Sequence, residues 1–373
     1  MNHKTSPRQP GEKRDIVVHA NLDIYASFPQ IARTDNALVL LFQVQSLVKL
    51  RAASEHPHYQ KAAVPHWATS RDGGLTWDLH ETCPTLGPIR DISYGSVPLK
   101  DGGTVTLTFS SAEPLRAIVQ QGRIGYRPYQ QERAASGEIR PVSDLGPFER
   151  FWPHGMTRLA DGTILAAGYV PFPSPEGTRK TTVAFLTSTD EGLTWVYRAH
   201  IPNANAFDFS EPDVIETRDG RLLALLRTDW DTVPVEQRSN EAKVGYGYFL
   251  YQAESVDGGR TWSEPVQLAL WGHPPYLLRL ASGNLLLVYG YRRAPWEIRA
   301  ILSRDEGRTW DMTTLRTIHT FDPGSYDMGY PVATQLSDGA IVCAFYGYST
   351  ADVGEKMPHG IFVSVFDEAW MQP

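Results

Sequence analysis

Six times along the chain an apolar run of strand length meets a short polar turn and a second apolar run follows it. The copies read ARTDNALVLLF, PLKDGGTVTLT, RLADGTILAAG, ETRDGRLLALL, RLASGNLLLVY and QLSDGAIVCAF, with turns at Asn36, Gly102, Gly162, Gly220, Gly283 and Gly339. Short apolar runs bounded by Asp-Gly signals predict β-hairpins. Gly or Asn at each turn suits the positive φ that a tight hairpin needs. The turns recur at intervals of 66, 60, 58, 63 and 56 residues. Spacing of that size and regularity marks a repeat architecture.

A second motif keeps step with the first. Ser70–Trp77, Ser188–Trp195, Ser255–Trp262 and Ser303–Trp310 read SRDGGLTW, STDEGLTW, SVDGGRTW and SRDEGRTW. In each, the Ser and Asp can hydrogen-bond backbone groups of their own turn, the Gly allows positive φ, and the Trp can pack back on the sheet. The box glycine, at Gly74, Gly192, Gly259 or Gly307, follows the hairpin turn by 24 to 39 residues, which places the motif between a third and a fourth strand. The octapeptide resembles the Asp-box of sialidase-superfamily β-propellers, and the resemblance spans the chain.

That resemblance and the six units imply an all-β, six-bladed β-propeller of four-stranded antiparallel blades. Blades 2 and 6 lack a box. Ser136-Gly137 is expected to make the turn in blade 2. Gly360–Phe366 is expected as the third strand of blade 6, and Ile16–Ala20 as its fourth, closing the ring from the N-terminus. Residues 1–14 are expected to be a flexible tail, and 15–373 a single domain. The Asp-Gly turns and the boxes then share one rim. The long connections, among them 44–66, 82–91, 228–246 and 317–330, belong to the other. Binding residues favour long loops on a rigid scaffold, so the site is expected there.

Composition narrows the partners. A formal charge of −7 and a pI near 5.9 disfavour nucleic acid and anionic membranes. Ten Trp and 17 Tyr suit a carbohydrate partner, and equally an all-β core. Of the two cysteines, Cys343 lies in an apolar run and reads as a buried thiol; no disulfide framework is implied. There is no run of 18 apolar residues, and the polar N-terminus has no apolar segment after its charges, so a cytoplasmic location is expected. No cofactor is implied, and the spacing of His56, His58 and His66 matches no metal signature.

The candidate chemistry comes from the resemblance. Glu211 opens the inner strand of blade 4 and Arg227 lies 16 residues on. In sialidases a Glu in this place pairs with the nucleophilic tyrosine, and the Arg holds the substrate carboxylate. Tyr330, eight residues before Asp338, stands where the nucleophile stands, with Pro331 after it. A free phenol ionises near pH 10, so it needs a base; Glu211 would serve. Among glycosidases, sialidases are an exception in using a Tyr nucleophile. A neutral attacking group suits a substrate that brings its own anion. Arg292 or Arg293, between the second and third strands of blade 5, resembles another carboxylate-binding arginine.

Two positions depart from the pattern. Ser27, two residues before Pro29, stands where the first arginine of the triad would be. The blade 1 connection lacks the acid/base aspartate and offers Glu55, His56 and His58 instead. Asp91, with Arg90 beside it, is the nearest Asp expected on that rim. His154, His273, Asp229 and Asp327 are candidates for sugar hydroxyls. The leading expectation is therefore a retaining exo-glycosidase for a terminal, acidic sugar. A propeller lyase acting beside a uronate, and a non-catalytic glycan-binding propeller, are the alternatives.

Overall fold

The computed structural model describes residues 8–47, 63–84, 86–110, 113–120, 138–173, 179–204, 207–229, 248–321, 327–348 and 358–372. The first strand, β1 (Arg14–Asn21), precedes blade 1, which contains β2 (Ile24–Thr34), β3 (Leu38–Ser46), β4 (Val64–Ser70) and β5 (Asp78–His80), with β6 (Ile89–Ile92) added beside β2. Blade 2 is β7 (Ser96–Pro98), β8 (Thr104–Ser110), β9 (Glu113–Gln120) and β10 (Glu138–Pro141). Blade 3 is β11 (Trp152–Arg158), β12 (Ile164–Pro173), β13 (Arg179–Ser188) and β14 (Val196–His200). Blade 4 is β15 (Phe209–Glu216), β16 (Leu222–Thr228), β17 (Phe249–Ser255) and β18 (Val266–Trp271). Blade 5 is β19 (Pro275–Arg279), β20 (Leu285–Tyr291), β21 (Glu297–Ser303) and β22 (Asp311–Thr320). Blade 6 is β23 (Gly329–Gln335), β24 (Ile341–Tyr348) and β25 (His359–Phe366), with β1 paired antiparallel to β25. The N-terminal strand thus completes the last blade, as expected.

Contacts group the chain into two compact units, one of residues 1–93 and 278–373, the other of residues 94–277. Within each blade, burial follows hydrophobicity. The second strands β16 (LLALLRT) and β20 (LLLVYGY) are almost wholly buried. Strands covered on both faces read as continuous apolar runs rather than alternating ones. The outer strands β5 and β18 leave much of their length exposed and carry polar residues.

In the unit of residues 94–277, the box tryptophans join neighbouring blades. Trp262 of blade 4 stacks on Phe185 of blade 3, centroids 4.1 Å apart and 5° from parallel. Trp195 of blade 3 packs among Val105, Leu107 and Leu186. Such an aromatic pair adds about 0.5–1.5 kcal/mol beyond area burial. A Cβ on Gly192 would lie 2.5 Å from Val105 Cγ2, so the box glycine is needed for close approach as well as for its φ of 83°.

Five of the six hairpins share one turn. In blade 3, Leu159 N donates to Thr163 O and Gly162 N to Leu159 O, with Gly162 at φ 89°. This is a three-residue loop closed by a left-handed glycine. The first hairpin departs from the expectation. Asn36 is not in the positive-φ region, and Thr34 Oγ1 instead accepts from the amides of Asn36 and Ala37. The N-terminal segment is tied down from Arg8, which ion-pairs with Asp367 at 2.7 Å, while Gly11 N donates to the same carboxylate. The expected blade 2 turn at Ser136-Gly137 lies outside the described residues.

Candidate active site

The inner strands of blades 1, 4 and 6 begin with the same irregularity. Ladder pairing shifts between Ser27 and Gln30, between Ser210 and Asp213, and between Gly329 and Val332. The second residue of each bulge is Phe28, Glu211 or Tyr330, at φ 54°, 41° and 44°. Proline follows in all three: Pro29, Pro212 and Pro331. A residue before proline is sterically pushed toward extended conformations, so left-handed backbone here is strained by about 1–3 kcal/mol. Bulges re-aim a side chain out of the strand's alternation. The three bulges present three different chemistries: a phenyl ring, a carboxylate and a phenol.

In the unit of residues 94–277, Glu211 is buried and its Oε2 accepts from Arg227 Nη1 at 2.5 Å. Arg227 also grips Asp229 with two donors, Nε at 3.0 Å and Nη2 at 2.7 Å. Ser210 Oγ donates to the other oxygen of Asp229 at 3.3 Å. One guanidinium thus lies between two carboxylates, and the trio carries a net charge of −1. Two residues beyond Glu211, the Asp213 carboxylate is buried and accepts from the amides of Leu277 at 2.6 Å and Val214 at 3.0 Å. Burial pushes its pKa up from 3.8 to about 7, against the pull of those two amides. His154 is also buried. Its Nδ1 donates to Pro212 O at 3.1 Å, and its ring lies 4.6 Å from that of Tyr94. It braces the bulge that holds Glu211.

In the other unit, Tyr330 is half-buried and sits among aromatic rings. Phe28 meets it edge-on at 4.9 Å and 82°, and Tyr346 lies 6.0 Å away at 23°. The guanidinium carbon of Arg292 stands 5.0 Å from the Tyr330 centroid, within cation–π range. Gly329 makes room for it, since a Cβ there would lie 3.3 Å from Arg292 Nε. Asp327 accepts from two phenols, Tyr25 at 2.9 Å and Tyr346 at 2.9 Å. Burial first, and then neighbouring Tyr346 and Asp327, push the Tyr25 phenol well above its usual pKa. Burial and Asp327 do the same to Tyr346. These two phenols are therefore fixed as neutral donors. His359 Nδ1 accepts from Ala26 N at 3.1 Å, which holds β2 beside this cluster.

Other candidates sit elsewhere. Asp91 and Arg90 were expected on the rim of the long connections, and this is corrected. Their segment forms β6, which fills the edge of β2 and sets Asp91 opposite Arg33, at the Asp-Gly-turn end. Asp91 accepts from Thr334 Oγ1 at 2.6 Å, and exposed Arg90 pairs with Asp35 of the turn at 2.8 Å. An unpaired strand edge attracts such an addition. Arg293 folds back on its own strand, with Nε donating to Tyr291 Oη at 2.6 Å. Of the two arginines, Arg292 is the one placed at Tyr330. Glu55, His56 and His58 lie outside the described residues. Asp327 with its two tyrosines, and Asp229 under Arg227, are partnerships that residue spacing alone did not reveal. The proline after each bulge was the signal available.

The box carboxylates are engaged within their own turns. In blade 4 the Asp257 carboxylate accepts from Ser255 Oγ, Arg260 N, Thr261 N and Thr261 Oγ1. The Thr261 hydroxyl and amide hold its pKa well below the usual carboxylate range. The Thr amide and hydroxyl bonds recur around Asp72, Asp190 and Asp305. These residues build turns, and each carboxylate commits both its oxygens to them.

The chain belongs to the BNR repeat-like domain family, whose model matches residues 153–343, just over half of its length. No curated protein sequence matches it. Among solved structures it resembles a protein of unknown function from Dyadobacter fermentans at 25% identity and a TM-score of 0.66, covering 96% of this chain and 100% of that one. It also resembles the intramolecular trans-sialidase from Ruminococcus gnavus, at 13% identity and a TM-score of 0.52 over 94% and 96% of the two chains. The NanB sialidase from Streptococcus pneumoniae matches at 12% identity and a TM-score of 0.53, over 95% of this chain and 69% of the sialidase. These likenesses show the fold, a six-bladed β-propeller like that of the sialidases.

Proposed function

We propose that this protein is a retaining exo-glycosidase that uses Tyr330 as its nucleophile. The observation that carries the reading is the setting of Tyr330: half-buried, on a strained bulge, under the Arg292 guanidinium. Backbone strain of this kind clusters at functional sites. Its two neighbours Tyr25 and Tyr346 are committed to Asp327, and Tyr330 is the phenol that the sialidase resemblance puts in the nucleophile's place.

The phenol oxygen forms a bond to the anomeric carbon while the bond from that carbon to the leaving oxygen breaks. The phenol proton passes to Glu211, in the role the sialidase resemblance gives it. The leaving oxygen takes a proton from the blade 1 connection, where Glu55 and His56 are the candidates. Water, giving a proton to the group that served the leaving oxygen, then bonds to the anomeric carbon as the bond from that carbon to the Tyr330 oxygen breaks and Glu211 returns the phenol proton; two inversions give net retention. Arg227 and Arg292 are the candidate substrate contacts.

The test is a panel of aryl glycosides assayed with wild type and Tyr330→Phe. Wild type should release the aglycone and form first the sugar anomer of retained configuration, read by NMR. A fluoro-glycoside should leave a sugar-mass adduct on Tyr330. A Tyr330→Phe variant as active as wild type would sink the proposal. A rise in absorbance from a new double bond would report elimination in place of hydrolysis.

A further inference from the structure

Resting on the reading of Glu211 as the base, we propose that Asp213 is its positioning residue, a buried carboxylate that ties the Glu211 bulge to strand β19 and so fixes where the base stands.

Three observations support it. The first two lie wholly within the unit of residues 94–277. First, Asp213 closes the bulge, and each of its oxygens accepts a backbone N–H. Oδ1 accepts from Val214 at 3.0 Å and Oδ2 from Leu277 at 2.6 Å. Leu277 lies on β19, 64 residues further along the chain. The short bond to it tethers the bulge to the next inner strand. A shift of Glu211, two residues back on the same backbone, would pull on that bond.

Second, β11 presses on the same bulge. Its own ladder slips between Pro153 and Gly155, and a Cβ on Gly155 would lie 2.8 Å from Pro212 O and 2.9 Å from Asp213 Oδ1. His154 Nδ1 donates to that Pro212 oxygen at 3.1 Å. The bulge is thus held at Pro212 from β11 and at Asp213 from β19. Left-handed backbone before a proline persists only where its surroundings over-determine it, and these contacts do so.

Third, such a bulge does not by itself call for a carboxylate. The corresponding bulges close on Gln30 and Val332, one neutral and one apolar, and reach the same left-handed φ at Phe28 and Tyr330. Burying a carboxylate is costly, and burial raises the pKa of Asp213 to about 7 in spite of its two amide partners. That cost falls only at the bulge whose side chain the mechanism uses as a base. Support for a reacting group commonly trades stability for geometry. Asp213 therefore acts through Glu211, keeping its carboxylate against Arg227 Nη1, where the bond is 2.5 Å.

The experiment is a double-variant cycle at about pH 8, where Asp213 is a carboxylate, with the aryl glycoside that wild type cleaves. Asn keeps the shape of Asp213 but offers one oxygen where the carboxylate offers two. Asp213→Asn should lower kcat about tenfold, with KM within about twofold, and the melting temperature should not fall. In the Glu211→Gln background the same change should alter kcat by less than about twofold, because no base is left to misplace. Gly155→Ala, which crowds the bulge from β11, should likewise slow wild type and be silent on Glu211→Gln, and it gives the same reading if Asp213→Asn does not fold. An equal loss in both backgrounds, or an unchanged kcat in the folded Asp213→Asn protein, would overturn the inference.

If Glu211→Gln is as fast as wild type, or no glycoside is hydrolysed, the reading of Glu211 as base fails by itself. The tether is then decided by NMR of protein labelled at the glutamate carboxyl carbon. The Glu211 signal is the one missing from Glu211→Gln. In Asp213→Asn it should titrate at higher pH than in wild type, because a loosened bulge lengthens its bond to Arg227. An unchanged titration overturns the inference. So does a lower one, the direction expected from removing a neighbouring negative charge alone.

Discussion

The Asp-box turns and the bulged strand starts both recur around the chain, and they use their side chains in opposite ways. In a box, the repeated Asp turns both carboxylate oxygens to its own turn; Asp190 takes donors from Ser188, Thr194 N and Thr194 Oγ1. In the bulges the backbone repeats and the side chain does not. Phe28, Glu211 and Tyr330 share a left-handed φ and a following proline, and each does something different. Repeating the side chain preserves architecture. Keeping a strained backbone while varying the side chain gives one scaffold several chemistries. In this protein the repeat that is easiest to see is the one whose carboxylates are engaged by its own turns.

The contrast can be broken most directly at Tyr330. Tyr330→Phe should lower kcat at least about a thousandfold with an unchanged melting temperature, as expected for a reacting group. A large stability loss with normal turnover would make the bulge merely structural. Asp213 gives the next largest effect. Box carboxylates have lowered pKa values, so their stabilisation is present above the ordinary carboxylate range and is lost as pH falls. Asp213 has a raised one, so its contribution is present at low pH and is lost as pH rises toward about 7. Between pH 5 and 8, wild type should therefore lose about 3 kcal/mol relative to Asp213→Asn in urea unfolding. A pH-independent difference would mean that the carboxyl is not held in this way.

Glu211→Gln should reduce kcat about a hundredfold, the usual worth of a general base, while Arg227 keeps its two bonds to Asp229. An intact rate would remove Glu211 from the chemistry. The smallest expected effect sharpens the other side. Asp190→Ala should cost about 1–2 kcal/mol of stability through its lost hydrogen bonds and leave kcat untouched. Any substantial fall in kcat with stability preserved would give the boxes a role they are not built for.

Much of the fold was legible in the chain because its signals are local. A left-handed glycine, a Ser-x-Asp-x-Gly turn that satisfies its own donors, and continuous apolar second strands each arise within a few residues. Their spacing then gave six blades, the strand before each box, and β1 as the closing strand. The candidate site was only partly legible. Glu211, Arg227 and Tyr330 could be named because their places relative to the turns resemble those of the sialidase residues. The proline after each bulge was visible as well, but its left-handed partner was not.

What the tertiary structure alone decided is who meets whom. Tyr25 and Asp327 are 302 residues apart and share a hydrogen bond. Arg292 rather than its neighbour Arg293 lies over Tyr330, and β6 carries Asp91 to the turn end of blade 1. Local hydrogen bonds specify a turn wherever its residues occur. A side chain's charge balance depends on segments that only packing brings together. For that reason the octapeptides determine the blades, whereas the second carboxylate on Arg227 and the phenyl ring beside Tyr330 are contacts that only packing supplies.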